Sequence, residues 1–500
     1  MSISLTSVTR VELILALDAG TSGVRAVAFD PQLRVVDEAY RELTQYFPSP
    51  GEVEHDPVEI ADLAIATLRE VASRQRGAHH HVAALGLANQ RETTVGFDRE
   101  RGDIFHRAIV WQDRRTADIC HELSSQGHGP RVRETTGLVL DSYFSATKMK
   151  WMLERGLADG ARSPSFATID SWLLWILTGG VNGGVFLTEP SNASRTMVMD
   201  LATLDWSPAM MDLFGVAPEM LGAIQPSAST FGYVSADVVP ELAGVAITGI
   251  LGDQQSALFG QACFEPGLVK STYGTGAFLL ANAGESIPRV VDGLLTTVAW
   301  DLGARGPTTY ALEGSAFVAG AAVQWLREVG FIDTSRELEA LALSVSDSAG
   351  AQFVPAFTGL GTPFWHPDAR GAITGLSRGV GRGQIARALI EALAYQVRAM
   401  TDAFTDGGVE LKELRADGGA AAMDTLLQLQ ATNSRVDVLR SATLEATARG
   451  AASIAGLASG HWASLDDLAE RWEFDRRFRP EDPTLVDVGY RAWRGALERA

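Results

Sequence analysis

Short apolar runs that end in loops rich in glycine, aspartate and hydroxyl residues recur along this chain. Residues 13–17 form the first such run. It stops at Asp18-Ala19-Gly20-Thr21-Ser22-Gly23, and residues 24–30 resume a strand-like pattern. Strand, glycine-bearing loop and strand predict a hairpin. Residues 82–87 predict a second buried strand, ending at Asn89-Gln90-Arg91-Glu92, and residues 108–110 a third, ending at Trp111. Apolar positions three and four apart predict helices over 57–73 and around 148–153.

The opening pattern returns near the middle. Residues 268–272 run into Tyr273-Gly274-Thr275-Gly276 and then 277–280, so the second half is expected to repeat the architecture of the first. Just before it, residues 245–251 predict a strand, followed by Gly252-Asp253-Gln254-Gln255 opening a helix that reaches Gly260. We place the domain boundary there, giving 12–260 and 261–500. Later, 411–416 leads into Asp417-Gly418-Gly419 and a helix over 420–431. Strands interleaved with helices predict an α/β fold throughout. No low-complexity linker separates the halves, so a shared interface with a cleft is expected. The long stretch between the third strand and Val245 is expected to cap it.

Composition narrows the chemistry. The 500 residues exceed one ordinary core, which agrees with two domains. Apolar and charged fractions of 46% and 21% are those of a soluble globular protein. Lys+Arg 42 against Asp+Glu 61 leaves a net charge of −19, which argues against nucleic-acid or anionic-membrane partners. A nucleotide site in such a chain must draw on local donors, glycine-loop amides among them, and on a divalent metal. Cys120 and Cys263 are far apart and read as buried thiols rather than a disulfide. Residues 1–10 carry no apolar signal-peptide core, and no run reaches the length of a membrane span. A cytoplasmic location is expected.

Asp18-Ala19-Gly20-Thr21 with Arg25 suits a phosphate: glycine permits close approach, turn amides and the Thr21 and Ser22 hydroxyls donate, and Asp18 can hold magnesium. A plain hairpin turn accounts for the same residues. The repeat at Tyr273-Gly274-Thr275-Gly276 favours phosphate, because two such loops clamp a triphosphate from both sides. Neither a P-loop nor a dinucleotide fingerprint occurs. Asp417-Gly418-Gly419 leaves room for a base or ribose against the backbone, though an ordinary loop looks alike. Asp253 at a helix start is either an N-cap or a carboxylate placed to accept a hydroxyl proton during phosphoryl transfer. Arg91-Glu92, at the end of a buried strand, offers a donor fork and an acceptor for vicinal hydroxyls; a solvated surface pair is the alternative. Trp111, Tyr143 and Phe278 are either core aromatics or rings facing the C–H side of a polyol. His79-His80-His81 reads as a solvated loop, and no zinc-hydrolase or serine-hydrolase motif is present.

Together these residues resemble the FGGY family of carbohydrate kinases, and within it the glycerol-phosphorylating branch, over nearly the whole chain from Leu13 to Arg494. The resemblance rests on Asn89-Gln90-Arg91-Glu92-Thr93-Thr94, Ala108-Ile109-Val110-Trp111-Gln112, Tyr143-Phe144-Ser145 with Thr147-Lys148, Asn192-Ala193-Ser194-Arg195-Thr196 and Gly252-Asp253-Gln254-Gln255. Thr272-Tyr273-Gly274-Thr275-Gly276, Ala311-Leu312-Glu313-Gly314 and Pro355-Ala356-Phe357-Thr358-Gly359-Leu360-Gly361 continue it. It implies two ribonuclease-H-like (actin-like ATPase) domains closing on ATP and Mg2+. It further implies phosphorylation of glycerol to sn-glycerol 3-phosphate with Asp253 as general base, or of another polyol or ketose such as erythritol or xylulose. Polyol contacts carried over are Arg91, Glu92, Trp111, Tyr143, Asp253, Gln254 and Phe278. Nucleotide contacts are Thr21, Ser22, Gly23, Arg25, Thr275, Gly320, Gln324 and Gly419, with Met423 where an asparagine usually meets adenine. Asp18 and Asp253 are the metal candidates, and a homo-oligomer, dimer or tetramer, is a possible assembly. The first loop departs from the Asp-Gln-Gly-Thr-Thr-Ser-Ser-Arg usual in glycerol-phosphorylating members. The glycine-rich loop that binds fructose 1,6-bisphosphate in some of them has no counterpart near 240–246.

Overall fold

In the computed structural model, which describes residues 11–366, 368–443 and 445–500, the predicted opening hairpin is strands β1 (Glu12–Ala19) and β2 (Gly23–Phe29), followed by β3 (Val35–Glu42). Helix α1 (Pro57–Gly77) comes next, with Pro57 at its first turn and the Asp56 carboxylate accepting from the Val58 amide at 2.9 Å. Strand β4 (His81–Asn89), helices α2 (Ser145–Glu154) and α3 (Ile169–Leu177), strands β5 (Ala228–Tyr233) and β6 (Ala246–Gly252), and helix α4 (Asp253–Gly260) follow, with shorter elements between them. The sheet runs β5-β6-β4-β1-β2-β3. β1, β4 and β6 are parallel, and the flanking pairs are antiparallel.

The second stretch begins with β7 (Leu268–Tyr273), β8 (Ala277–Gly284), β9 (Leu295–Asp301) and β10 (Thr308–Ala316). Helices α5 (Gly320–Glu328) and α6 (Arg382–Asp406), β11 (Glu413–Asp417), α7 (Asp424–Ser434), β12 (Asp437–Ser441), α8 (Ala446–Ser459), β13 (Phe474–Phe478) and α9 (Thr484–Leu497) follow. The seven-stranded sheet runs β9-β10-β8-β7-β11-β12-β13. Its core β10-β8-β7-β11-β12 has the order and polarity of β3-β2-β1-β4-β6, with a hairpin strand lying parallel to a later strand in each. The repeat expected from the two glycine-threonine hairpins is therefore present in both sheets.

The chain divides into two compact units. One holds residues up to Ala262 with Thr297–Thr309 and Glu445–Arg471; the other holds Cys263–Thr296, Tyr310–Leu444 and Trp472–Ala500. Among the described residues no helix is long and apolar enough to cross a membrane. Two expected elements differ. The strand at 108–110 is only Ala108–Ile109, and it pairs with Glu54–His55 in a separate ribbon outside the main sheet. The helix expected over 420–431 is broken, because Met423 is extended (φ −80°, ψ 109°) between a 3₁₀ turn, Gly419–Ala422, and α7.

Helix α8 belongs to the first unit although second-unit strands flank it in sequence. It can lie there because the surfaces it meets lack side chains. A β-carbon on Gly86 of β4 meets the Ala451 carbonyl at 2.0 Å, and one on Gly249 of β6 meets the Ala455 amide nitrogen at 2.6 Å. Between α8 and α4 the fit is as close: a β-carbon on Gly260 would meet the Ala446 carbonyl at 2.0 Å, and one on Gly450 the Ser256 carbonyl at 1.8 Å. The Ser256 hydroxyl adds a 2.7 Å bond to the Thr447 carbonyl. Backbone on both sides cannot yield as a side chain does, so Gly450→Ala should cost about 1–3 kcal/mol through overpacking. Gly495, in the interior of α9 with open space around its α-carbon, should instead gain up to about 1 kcal/mol on changing to alanine. Urea unfolding of the two variants measures both signs.

Candidate active site

The parallel strands bring the sequence-predicted residues to one end of the first sheet. Ala19 of β1 and Gly252 of β6 both register with Asn89 of β4. Asp18, Arg91-Glu92 and Asp253 therefore leave neighbouring strands at their carboxyl ends, where open α/β sheets bind ligands. Gly252, not Asp253, is the N-cap of α4. The Asp253 carboxylate accepts from the Gln254 amide at 2.7 Å and pairs with Arg91 Nε at 3.3 Å, and its side chain keeps 26% exposure. The simple N-cap alternative thus fails, and one carboxylate is left aimed, ion-paired and reachable. Gly252 is required by space, since a β-carbon there meets the Arg91 side chain at 2.7 Å.

Arg91 and Glu92 are buried rather than solvated. The chain turns at Glu92 (φ +58°), where the Thr93 amide reaches back to the Arg91 carbonyl at 2.6 Å. A non-glycine residue in this region stores strain of about 1–3 kcal/mol, a cost that concentrates at functional sites. Compensation comes from charge. Arg91 donates to the Gln255 side chain at 3.1 Å, and Arg195, itself fully buried, donates to Glu92 at 2.7 Å. Gln255 in turn is fixed by the Thr297 hydroxyl and the Val298 carbonyl, both at 3.2 Å. Beneath Gly252 lies Glu189, which accepts from Ser191, Asn192 and Ser227; the Ser191 hydroxyl then accepts the Gly252 amide at 2.9 Å. Burial pushes the Glu189 carboxyl up to about 7, although the serine donors oppose it.

The aromatic candidates in this unit meet. Trp111 and Tyr143 pack edge to face with centroids 5.5 Å apart, and Arg195 lies over the Tyr143 ring at 5.8 Å. Tyr143 sits on a turn gathered by Lys148. The Lys148 ammonium donates to the carbonyls of Ser142, Tyr143 and Phe144 at 2.7, 2.8 and 3.0 Å. Burial lowers Lys148 to about 8 against the opposing pull of Glu92, Asp113 and Asp141.

In the first loop, Gly23 is demanded by crowding: a β-carbon meets the Arg41 carbonyl at 2.4 Å. Thr21 is half-buried and Ser22 exposed. Arg25, opposite Asp18 in the hairpin, pairs with Glu445 at the start of α8 and lies over the Tyr40 ring. Asp18 Oδ1 is buried with no hydrogen-bond partner. Burial, then the charges of Asp253 and Glu445, raise its carboxyl to about 7, with Arg25 pulling the other way. Such an oxygen fits a divalent cation that arrives carrying further ligands of its own. Among the described residues no group of three or more His, Cys, Asp or Glu side chains gathers as a metal site. His80 bonds Gln75 at 3.0 Å.

The second unit gathers its own candidates. The Gly320 amide donates to the Gly274 carbonyl at 2.9 Å, and the Ala319 and Ala321 amides bond the Thr275 carbonyl at 2.8 and 3.0 Å. The second glycine-threonine loop is therefore stitched to the start of α5, which carries Gly320 and the exposed Gln324. Gly418, at φ +88°, lies against Tyr273, where a β-carbon meets its carbonyl at 2.5 Å. Gly419 is exposed beside it, and Met423 is buried at the helix break. Phe278 is half-buried on β8, opposite Thr272. Sequence reasoning gave no role to Arg195, Gln255, Glu189, Lys148 or Glu445. Arg195, Gln255 and Glu445, and Glu189 through Ser227, act on partners far along the chain, a relation that spacing does not carry; Lys148 gathers carbonyls four to six residues before it, and only its burial reveals the role.

A strained, ion-paired Arg-Glu turn beside a reachable aspartate, with a glycine-threonine loop on each unit, suits a phosphotransferase. Residues 13–260 match the FGGY family of carbohydrate kinases, N-terminal domain, and residues 269–459 its C-terminal domain. The chain belongs to this family and is a phosphotransferase. A glycerol kinase of Symbiobacterium thermophilum is 47% identical over 494 residues, covering 97% of this chain and 98% of the relative. One from Stenotrophomonas maltophilia (strain R551-3) is 48% identical over 493 residues, covering 97% of each. Among solved structures, Plasmodium falciparum glycerol kinase with ADP superposes with TM-score 0.92 at 34% identity, covering 98% of both chains. A Brucella ovis xylulose kinase structure shares the fold, with TM-score 0.88 at 23% identity and coverage of 97% and 99%.

Asp18 generates a pH prediction. Its folded-state pKa of about 7 lies above the ordinary value of 3.8, so the native state binds that proton more tightly than the unfolded chain. Its effect on stability is therefore unfavourable as pH rises from about 4 through about 7, and constant above. Without divalent cation, denaturation midpoints between pH 5 and 8 should fall less steeply for Asp18→Asn than for the unaltered protein.

Proposed function

We propose that the chain transfers the γ-phosphoryl group of ATP to glycerol, giving sn-glycerol 3-phosphate and ADP. The observation that carries this reading is the Asp253 carboxylate, held by Arg91 at 3.3 Å beside the buried Arg91-Glu92 turn. Arg91, Glu92 and Gln254 fix hydroxyls, while Trp111, Tyr143 and Phe278 face carbon. Asp253 accepts the proton of the attacking hydroxyl, so that the oxygen becomes nucleophilic as its bond to phosphorus forms. Thr21, Ser22, Gly23, Arg25, Thr275, Gly320, Gln324, Gly419 and Met423 hold the nucleotide. Mg2+, bound with ATP, supplies charge neutralisation on the phosphates, and Asp18 and Asp253 would hold it. We read both units as ribonuclease-H-like, with 12–260 carrying the polyol set apart from Phe278 and 261–500 most of the nucleotide set. The protein is taken as cytoplasmic.

A second reading, another polyol or a ketose such as erythritol or xylulose, is motivated by Ala19 and Ser22-Gly23-Val24 in the first loop. The glycerol kinase relatives and the intact Arg91, Glu92, Trp111 and Phe278 favour glycerol. Measuring kcat/KM with MgATP over glycerol, erythritol, xylulose, ribulose and gluconate decides between them. Glycerol should rank first; a ketose ranking first would reject it.

A further inference from the structure

The polyol-facing turn and the first phosphate loop are joined by a closed hydrogen-bonded circuit. Gln90 is buried, and each side-chain atom that can bond is used. Its Nε2 donates to the Gly20 carbonyl at 3.3 Å and to His55 Nδ1 at 3.2 Å, and its Oε1 accepts from the Thr93 hydroxyl at 3.1 Å. Thr93 Oγ1 also accepts the Trp111 backbone amide at 3.4 Å. The Trp111 indole N–H then reaches Thr21 Oγ1 at 3.0 Å. Gly20 and Thr21 are adjacent, so the path returns to its start.

The proton inventory fixes the direction of each bond. The Gln90 amide nitrogen can only donate, so His55 Nδ1 is its acceptor, on an imidazole that burial holds neutral with its pKa lowered to about 4. Gln90 is thereby oriented with its oxygen toward Thr93. The Thr93 hydroxyl, spending its proton on Gln90, presents a lone pair to the Trp111 amide. The indole can only donate, so Thr21 accepts through one lone pair and keeps its own O–H for an acceptor outside the circuit. Chained donors polarise one another, which makes Thr21 a better donor to an anion whenever the Trp111 ring is seated.

We propose that Gln90, Thr93 and Trp111 form a positioning circuit that couples the polyol pocket to the first phosphate loop, so that seating a polyol against Trp111 strengthens nucleotide phosphate binding at Thr21. Gln90 and Thr93 are positioning residues, since neither faces the ligand. The inference rests on the assignment of Trp111 to the polyol and Thr21 to the nucleotide.

Calorimetric titration of MgADP, with and without a saturating polyol, tests it on the intact protein. The polyol is the best phosphorylation substrate of the panel above. The polyol should tighten MgADP binding within the roughly 5–150-fold span of ordinary coupling energies. Thr93→Val, which keeps shape but loses the hydroxyl, should bring that ratio to within about 2-fold of unity, and Thr93→Ser should restore it. Trp111→Phe should lose the coupling as well. An unchanged ratio in Thr93→Val overturns the circuit, as does a loss that Thr93→Ser fails to repair. Weaker MgADP binding by one factor in both conditions, with a lower melting temperature, marks a purely structural role and overturns it too. Failure of the underlying assignment has a different signature: no polyol or sugar in the panel is phosphorylated by the unaltered protein.

Discussion

Everything at this site depends on how the Arg91-Glu92 pair is accommodated where both side chains are buried. Isolated buried charges are prohibitively costly, and a pair is tolerable only when its geometry is good and its remaining donors are satisfied. Here Arg91 divides its donors between Asp253 and Gln255, and Glu92 is met by Arg195. The chain Asp253-Arg91, Glu92-Arg195 thus joins the carboxyl ends of two parallel strands to a segment more than a hundred residues downstream. Removing one member leaves its partner uncompensated, so the arrangement is rigid. Rigidity suits proton abstraction, for which geometry matters before acidity.

The same constraint explains why so little of the surrounding structure is apolar in the ordinary sense. Glu189, Ser191, Gln255 and Asn192 are fully buried polar groups whose bonds converge on Gly252 and the start of α4. Helix α8 adds pressure from the other side. Glycines at 86, 249, 260 and 450 let its backbone touch β4, β6 and α4 directly, and Glu445 at its start holds Arg25 of β2. Packing and electrostatics therefore act on one set of atoms. Asp253 is placed by a helix that cannot shift without moving α8, and its charge is countered by an arginine that cannot leave its turn.

Much of this was legible in the sequence. The two glycine-threonine hairpins follow from strand periodicity broken by turn residues, and the shared strand order of both sheets bears out the repeat they imply. Asp253 at a helix start, and Arg91-Glu92 at a strand end, were readable from the elements on either side. What could not be read is what depends on tertiary placement. Residues 108–110 have the apolar character of a core strand, yet they form a short ribbon with Glu54–His55. Met423 sits inside a helical pattern, yet the Gly418-Gly419 turn and a fresh helix start at Asp424 break it. The membership of α8 in the first unit leaves only its small residues as a trace in the sequence. Arg195 and Glu189 look like any charged residue until their burial is known.

In the proposed reaction Asp253 acts as the base while its neighbours bind and orient. Single-turnover phosphoryl transfer by Asp253→Asn, measured by rapid quench with MgATP and glycerol, tests it most directly when calorimetry on the same preparation reports the affinity for both ligands. The account predicts a rate lower by about 10²–10⁴-fold, with each affinity within a few-fold of the unaltered protein. A near-normal transfer rate, with both ligands bound as before, would contradict it.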